Sequence, residues 1–251
     1  MKDIIEGSKT LLKESLELLG EAKNDIVIVG GWGPYLRHSE VHPGTRDVDI
    51  LFPSSYSKDS MINILNNFLA NGYFINAKHD FQLCRSFTIG KQTYIFNVDL
   101  LHPTEGKLGK VDFIDRMDLD VTVEGIKVKQ IVTINMPHGE VIYLQKLYGK
   151  MEFENQVFNV LDGAGIVLTK LESCQNIKRE RDIFDIYLSL EEEGTLNKLK
   201  VLGKINPHIG EKIELYRQTL TVKWKLFESN LNKYNVANSD SKKLLLLPFD
   251  D

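Results

Sequence analysis

The stretch VIVGGWGPYLRHSEVHPGTRDVDILFP, residues 27–53, joins an apolar run, a pair of glycines and two aspartates that are one residue apart. The run before the glycines is rich in β-branched residues, which predicts a buried strand. Pro34 suits the first turn of a helix after the glycines. The segment DVDILFP, ended by Pro53, predicts a second strand. The stretch therefore predicts a strand, a turn, a helix and a strand in close succession.

The neighbouring segments extend this pattern to a sheet. Helical spacing of apolar residues predicts helices over residues 3–20 and in KDSMINILNNFLANG. Three extended segments follow, namely YFINA, FQLCRSFTI and TYIFNVDLL. This order of elements predicts an α/β (α+β) fold in which helices cover a mixed β-sheet.

The chain after Pro103 is harder to assign. DVTVEGIKVKQIVTI alternates as a hairpin, whereas HGEVIYLQKLYGKMEF fits helix and strand equally well. From residue 163 the pattern becomes helical, NVANSDSKK resembles a linker, and the final LLLLPFDD is expected to pack on the protein's own surface. We predict a sheet-bearing domain over residues 1–135 and a mostly helical domain over residues 136–251.

The composition of the 251-residue chain, with 42% hydrophobic and 26% charged residues, indicates a folded globular protein. Its net charge of -4 gives no general attraction to nucleic acid, although a local basic patch is compatible with it. The two cysteines have no metal-ligand spacing and predict no disulfide framework. Charges interrupt residues 1–20, so we expect neither a signal peptide nor a membrane span. A cytoplasmic protein without a membrane partner is the expectation.

Asp47 and Asp49 are the first candidate site residues. Strand residues two apart point to the same side, so the two carboxylates would stand together while Val48, Ile50 and Phe52 turn into the core. Two like charges at that distance repel, and a divalent cation is the usual relief. The alternative is a solvated strand edge or a loop cap.

Three further features favour a site that binds phosphate and metal. Gly30 and Gly31 form a strand-to-helix turn whose free N–H groups let a phosphate approach. Thr45 and Arg46 put a hydroxyl and a cation directly before the acids. Asp99 is a lone acid in an apolar strand, and a third carboxylate is what a two-metal phosphoryl-transfer site requires. Each feature also has an ordinary structural explanation: a tight turn, a surface ion pair, or a strand-end acid that meets water.

In this order, VGGWG, TRDVDILF and FNVDLL resemble the motifs of the nucleotidyltransferase superfamily with a DNA polymerase β-type palm. The chain looks most similar to two branches, the abortive-infection toxins of the AbiEii type and the lincosamide-type antibiotic nucleotidyltransferases. The later IVLTKLES and KRERDIFDIYLSL favour the toxin branch. The resemblance covers residues 25–103 well and 163–190 loosely, and RHSEVHP matches no part of the pattern.

The resemblance implies a palm domain that transfers a nucleoside monophosphate from an NTP to a hydroxyl acceptor and releases pyrophosphate. Two Mg²⁺ ions would be held by Asp47, Asp49 and Asp99, and Asp99 would also help to deprotonate the acceptor. Gly30 and Gly31 would cradle the triphosphate.

The remaining residues of the implied nucleotide site are less closely matched. Thr45 or Arg46 would lie alongside the triphosphate. Lys170 would neutralise phosphate charge and Asp182 would orient it or the acceptor. Lys146, in YLQKL, is an alternative to Lys170, and either lysine is otherwise a solvated surface residue.

The acceptor is left open by the sequence. An RNA such as tRNA, a protein, and a small hydroxylated drug or metabolite are the alternatives, and a toxin-like member would have an antitoxin protein as partner. A member that binds nucleotide or a partner without turnover is a third hypothesis. His38, His42 and His79 are predicted to be surface or hydrogen-bonding residues rather than a metal set.

Overall fold

The computed structural model describes residues 3–76, 78–79, 81–103, 113–123, 126–136, 138–176 and 178–247. Over this part of the chain the helices and strands alternate first and helices dominate later. The sheet-forming part contains α1 (Ile4–Leu19), β1 (Val27–Val29), α2 (Trp32–Arg37), β2 (Val48–Leu51), α3 (Lys58–Ala70), β3 (Phe74–Ile75), β4 (Gln82–Ile89), β5 (Gln92–Pro103), β6 (Phe113–Val123), β7 (Ile126–Met136), α4 (Gly139–Leu144), β8 (Tyr148–Phe153) and β9 (Gln156–Leu161). The helical part contains α5 (Gly163–Lys170), α6 (Asp182–Glu191), α7 (Thr195–Ile205), α8 (Pro207–Val222), α9 (Trp224–Asn232) and α10 (Ser239–Leu245).

The nine strands form one mixed sheet, as the sequence predicted. Its order is β3-β4-β5-β2-β1-β9-β8, and β7 pairs with the end of β5 and carries β6. Strands β2 and β5 are parallel, β1 is antiparallel to β2, and β9 is parallel to β1. The hairpin predicted in residues 120–134 is β6 with β7, although the residues of its turn lie outside the described part of the chain.

Alternating side chains divide the sheet into two buried faces. On the first face the sheet packs against α1, α2 and α3, and its members include Ile28, Val48, Ile50, Phe52, Val98 and Val160. On the second face it packs against the helical half, and its members include Val29, Leu51, Leu101 and Leu161. The prediction that Val48, Ile50 and Phe52 turn into a core together is confirmed.

Helix α1 begins and ends as its sequence predicts. The Asp3 side chain accepts a hydrogen bond from the backbone N–H of Glu6, a normal N-cap contact. Gly20, with a φ of 55°, ends the helix in the left-handed region that favours glycine. The leucines at helical spacing are buried against the first face of the sheet.

The sheet continues beyond residue 136, where the sequence placed the start of the helical domain. The ambiguous stretch 138–153 is helix in α4 and strand in β8, with Lys146 at the turn in a left-handed conformation (φ 48°). Strand β9 then pairs with β1, near the centre of the sheet. The division at residue 136 stays a prediction, but the strands on its two sides belong to one sheet.

The segment 235–243, predicted to be a linker, contains the start of α10. The Asn238 side chain accepts from the backbone N–H of Ser241 while the Ser241 hydroxyl accepts from the Asn238 N–H, which is a capping box. The linker prediction was wrong because polar residues that cap a helix resemble a loop in composition. Leu245 and Leu247 are fully buried in the helical core, as predicted for this end of the chain. None of the described helices is long and apolar enough to cross a membrane.

Candidate active site

Asp49 and Asp99 lie side by side on neighbouring parallel strands. They are register partners of β2 and β5, so their side chains leave the same face of the sheet. Leu51 and Leu101, two residues further along, pair in the same way and pack against the helical half. Asp47 directly precedes β2, two residues before Asp49, which gives it the same facing. The three acids predicted from the sequence are therefore brought to one area of the sheet.

The surroundings of Asp47 hold it in place on two sides. Its carboxylate oxygen Oδ1 accepts a hydrogen bond from Nδ2 of Asn97 at 3.3 Å. Its backbone carbonyl accepts from the indole N–H of Trp32 at 2.9 Å. Trp32 is the first residue of α2 and is fully buried. The helix after the glycine turn thus fixes the backbone at the first acid.

The negative charge of the acids is not fully compensated. Burial raises the pKa of Asp49 to about 6, and the negative charge of Asp47 adds to the rise. The positive charges of Lys170 and of nearby arginines oppose it. Burial also raises the pKa of Asp99 to about 7, with smaller contributions from the negative charges of Asp49 and Asp47. One carboxylate oxygen of Asp99, Oδ1, is buried and has no hydrogen-bond partner in the described structure. The acids therefore form a cluster that would gain from a cation.

The glycine turn passes directly over this cluster. Gly30 has a φ of 68°, and a Cβ atom built on it would lie 1.9 Å from Oδ2 of Asp49. A Cβ on Gly31 would lie 2.6 Å from a guanidinium nitrogen of Arg181 and 2.7 Å from Oγ1 of Thr45. Gly30 needs glycine for its positive φ and for the close approach of Asp49, and a side chain at Gly31 would have to displace Thr45 and Arg181.

His42 fastens the loop before the acids to α6. Its Nδ1 accepts from the backbone N–H of Gly44 at 3.1 Å, and its Nε2 lies 3.0 Å from Oδ1 of Asp185. Because the first contact needs an unprotonated Nδ1, the ring is neutral and Nε2 is the donor. Arg181 adds a second link by donating to the Gly44 carbonyl at 2.6 Å. We call this set of contacts the His42 clamp.

Lys170 is buried and paired, in contrast to the solvated lysine that the sequence allowed. Its ammonium group lies 2.7 Å from Oδ1 of Asp182 and 2.8 Å from Oδ2 of Asp185. The Ser173 hydroxyl donates to the other oxygen of Asp182 at 2.6 Å. Asp182 is accordingly a buried partner of Lys170 and not a surface acid. The role of Lys170 toward phosphate stays a prediction.

The other predicted residues lie at different depths. Thr45 is half-buried against Gly31, whereas Arg46 is exposed with its guanidinium 5.8 Å from the centre of the Phe96 ring. Lys146 is exposed at the turn between α4 and β8, and its carbonyl accepts from Lys198. Among the contacts of the described residues, Lys146 has none with the acids.

Arg179 and Arg181 are site residues that the sequence reasoning missed. Both oppose the rise in the pKa of Asp47 and of Asp49. They belong to the segment KRER just before α6, for which the sequence left contact with RNA and an ordinary solvated surface as alternatives. The one local signal was the spacing of Arg181 from Asp185, which form an ion pair across one helical turn at 3.6 Å.

The chemistry of these donors suits Mg²⁺, which prefers oxygen ligands. Within the described residues no group of three or more His, Cys, Asp or Glu side chains is arranged to hold one metal ion. Such an arrangement is not required, because Mg²⁺ is usually bound by one or two carboxylates together with waters and substrate phosphates. The partnerless oxygen of Asp99 and the raised pKa values of Asp49 and Asp99 fit that kind of site.

Comparison with solved structures gives distant similarities in fold. No family model matches the chain, and no curated protein matches it in sequence. An antigenic nucleotidyltransferase-like protein from Paracoccidioides brasiliensis has a TM-score of 0.39 and 13% identity, covering 81% of this chain and 90% of its own.

Two further solved structures are similar at the same level. The antibiotic-resistance factor ANT(2'')-Ia has a TM-score of 0.43 and 13% identity, with 91% of this chain and 99% of its own covered. A candidate nucleotidyltransferase from H. pylori has a TM-score of 0.46 and 10% identity, with 98% and 92% covered. With every TM-score below 0.5, these similarities do not establish an activity for this chain.

Proposed function

We propose that this protein is a Mg²⁺-dependent nucleotidyltransferase, which transfers a nucleoside monophosphate from an NTP to a hydroxyl acceptor and releases pyrophosphate. The observation that carries the proposal is the pairing of Asp49 with Asp99 on parallel strands. They lie beneath a turn in which Gly30 has a positive φ and leaves no room for a side chain beside Asp49. This arrangement places two carboxylates directly beside the backbone of a strand-to-helix turn, and carboxylates that can hold metal ions next to a phosphate-binding turn are what phosphoryl transfer needs.

Asp47, Asp49 and Asp99 would hold the Mg²⁺ ions. When bound, the ions supply positive charge that neutralises the triphosphate and stabilises the negative charge of the transition state. Asp99 would also act as the general base, because its carboxylate oxygen Oδ1 has no hydrogen-bond partner in the described structure and can take the proton of the acceptor hydroxyl.

The transfer itself is a single displacement at phosphorus. The acceptor oxygen forms a bond to the α-phosphorus of the NTP while the bond from that phosphorus to the bridging oxygen breaks. The electron pair leaves with pyrophosphate, and the hydroxyl proton moves to Asp99. In this scheme the backbone at Gly30 and Gly31 receives the triphosphate, with Thr45 beside it.

In this proposal Lys170 and Asp182 do not bind the substrate directly, and Lys170 acts on the site through its charge. The charge of Lys170 opposes the rise in the pKa of Asp49, so it lies close enough to affect that acid. Because its ammonium group already has two carboxylate partners, we expect it to act on phosphate through its charge and not as a free ligand. A toxin-type role with an antitoxin partner stays a prediction.

The test is transfer of label from each of four NTPs, labelled at the α-phosphate, in the presence of Mg²⁺ and a mixture of cellular RNA, protein and small molecules. We expect one or more labelled products that disappear with a metal chelator and with Asp49→Asn. The matched control is Asp59→Asn, which alters an exposed acid in the first turn of α3. The proposal would be contradicted if none of the four NTPs binds in the presence of Mg²⁺ and none labels an acceptor.

A further inference from the structure

An open cleft of about 510 Å³ lies between the loop that precedes Asp47 and the segment that precedes α6. It is lined by the loop at Gly44, by the segment before α6 that contains Lys178, Arg179 and Arg181, and by Tyr234 after α9. We call it the arginine cleft. Its walls come from parts of the chain that are far apart in sequence.

The charge of the arginine cleft is positive in a chain whose net charge is -4. Lys178 and Arg179 are exposed, and no carboxylate of the described residues lies within ion-pair distance of either. The two acids that also line the cleft are already neutralised, because Glu180 pairs with Lys233 and Asp182 pairs with Lys170. The unpaired cations are therefore available to a ligand with negative charge.

Tyr234 gives the cleft a fixed aromatic ring. It is half-buried and stacks on Phe184 with ring centres 4.1 Å apart and planes 4° from parallel. Phe184 is itself buried in α6. A ring held by such a partner loses little freedom when a second planar group stacks on it, which makes it suitable for a nucleobase.

The cleft is also close to the reacting groups. A Cβ atom built on Gly31 would lie 2.6 Å from a guanidinium nitrogen of Arg181, and one built on the adjacent Gly30 would lie 1.9 Å from Oδ2 of Asp49. Gly44, which lines the cleft, is three residues before Asp47 and is held by the His42 clamp. A linear polymer bound in the cleft could therefore place one of its ends near the acids.

We infer that the arginine cleft binds the acceptor, and that this acceptor is the end of a single-stranded nucleic acid. The inference rests on the proposed function. Cations that follow a phosphate backbone, combined with an aromatic ring for a base, are the usual means of binding a single strand. Lys178 and Arg179 would contact backbone phosphates, Tyr234 would stack a base, and the terminal hydroxyl would face Asp99.

The test is direct binding, measured by fluorescence anisotropy with a labelled single strand of about ten nucleotides, in an RNA and a DNA form. No NTP is added, so the result does not depend on catalysis. We expect binding that weakens as salt rises, and Arg179→Ala should lower the slope of log affinity against log salt by roughly 0.7 for the lost phosphate contact. Tyr234→Ala should weaken binding at least about fivefold. The arms with RNA and DNA decide which sugar the cleft prefers.

Two variants serve as controls. Arg217→Ala removes the same charge from α8, outside the arginine cleft, and should leave both the affinity and the salt slope unchanged. Tyr234→Phe keeps the ring on Phe184 and should bind as the unaltered protein does, which separates loss of stacking from loss of folding.

The inference and the proposed function can fail separately. If neither strand binds, or if Arg179→Ala and Arg217→Ala behave alike, the inference is overturned even where Mg²⁺ and NTP still stabilise the protein. If the strands bind but no NTP is bound or consumed, the proposed function fails and the inference fails with it.

Discussion

The imidazole of His42 and the carboxylate of Asp185 lie 3.0 Å apart in the buried interior, although 143 residues separate them. The contact joins the loop before the acids to the first turns of α6. Because Asp185 also forms an ion pair with Lys170, one carboxylate connects the loop, α5 and α6. The position of Asp47 relative to the cations of the helical half therefore depends on this carboxylate.

Replacing His42 should loosen the site more than it harms the fold. His42→Ala leaves the Gly44 N–H and an Asp185 oxygen without partners, which costs about 1–3 kcal/mol of unfolding free energy. We expect the affinity for Mg²⁺ and NTP to fall as well, measured by calorimetry under conditions where the variant is folded. His42→Gln, which keeps a donor for Asp185, should recover part of that affinity. His38→Gln, at a half-exposed histidine that contacts Glu192, is the control and should keep full affinity.

Substitution of Gly30 should abolish nucleotide binding. Gly30→Ala adds a methyl group that would collide with Asp49 and forces a left-handed conformation on alanine. The matched control is Gly90→Ala, because Gly90 has a similar φ of 63° but nothing within 4 Å of the added atom. Both variants should lose about 1–2 kcal/mol from the backbone strain alone. Only Gly30→Ala should also lose the thermal stabilisation by Mg²⁺ and NTP. Equal behaviour of the two would show that Asp49 has room to move.

The stability of the metal-free protein should depend on pH through Asp99. Its folded pKa is raised to about 7, so the folded state holds this proton more tightly than the unfolded state. The contribution of Asp99 to the free energy of unfolding is therefore greatest at low pH, and it falls as the pH rises through the folded pKa. Asp99→Asn should raise the melting temperature at about pH 8 and raise it less at about pH 5. A melting temperature that drops at both pH values would mean that the folded protein stabilises the ionised Asp99 carboxylate through a favourable contact.

Lys170 should be a major determinant of stability. Lys170→Ala leaves Asp182 and Asp185 buried without their shared cation, which costs about 3–5 kcal/mol. Lys146→Ala, at the exposed turn, should change the unfolding free energy by no more than about 0.5 kcal/mol. Urea unfolding of the two variants gives the comparison. A mild effect for Lys170→Ala would indicate that the two acids take up protons when the lysine is removed, and the apparent stability would then become strongly pH-dependent.

The features that follow from local spacing could be predicted from the sequence. Alternation in DVDILF determined which side chains enter the core, and the glycine pair before Pro34 marked the turn to α2. The grouping of Asp49 with Asp99 was a stronger inference, because it required two segments fifty residues apart to become neighbours. The acids could be chosen since a lone carboxylate in an apolar strand is costly without a partner.

The features that depend on distant contacts could not be predicted. No residue pattern around His42 marks it as buried, because its contact to Asp185 exists only after α6 has packed on the loop. Arg179 was indistinguishable from a solvated residue, since its significance comes from the electrostatic field of Asp47 and Asp49. The strand β9 was missed because its partner β1 precedes it by more than a hundred residues.

The place of β9 beside β1 also has a consequence for synthesis of the protein. While the ribosome has released only the first 136 or so residues, β1 would be able to pair with β2 on one side but would have a bare edge on the other, since that edge is occupied by β9 in the complete chain. Such an edge is a template for pairing with another chain. We expect a fragment of residues 1–136 to aggregate or to be held by chaperones, and residues 1–161 to be less prone to do so, as sedimentation of the two fragments would test. The sheet that carries the acids is thus completed late, when the chain has grown past Leu161.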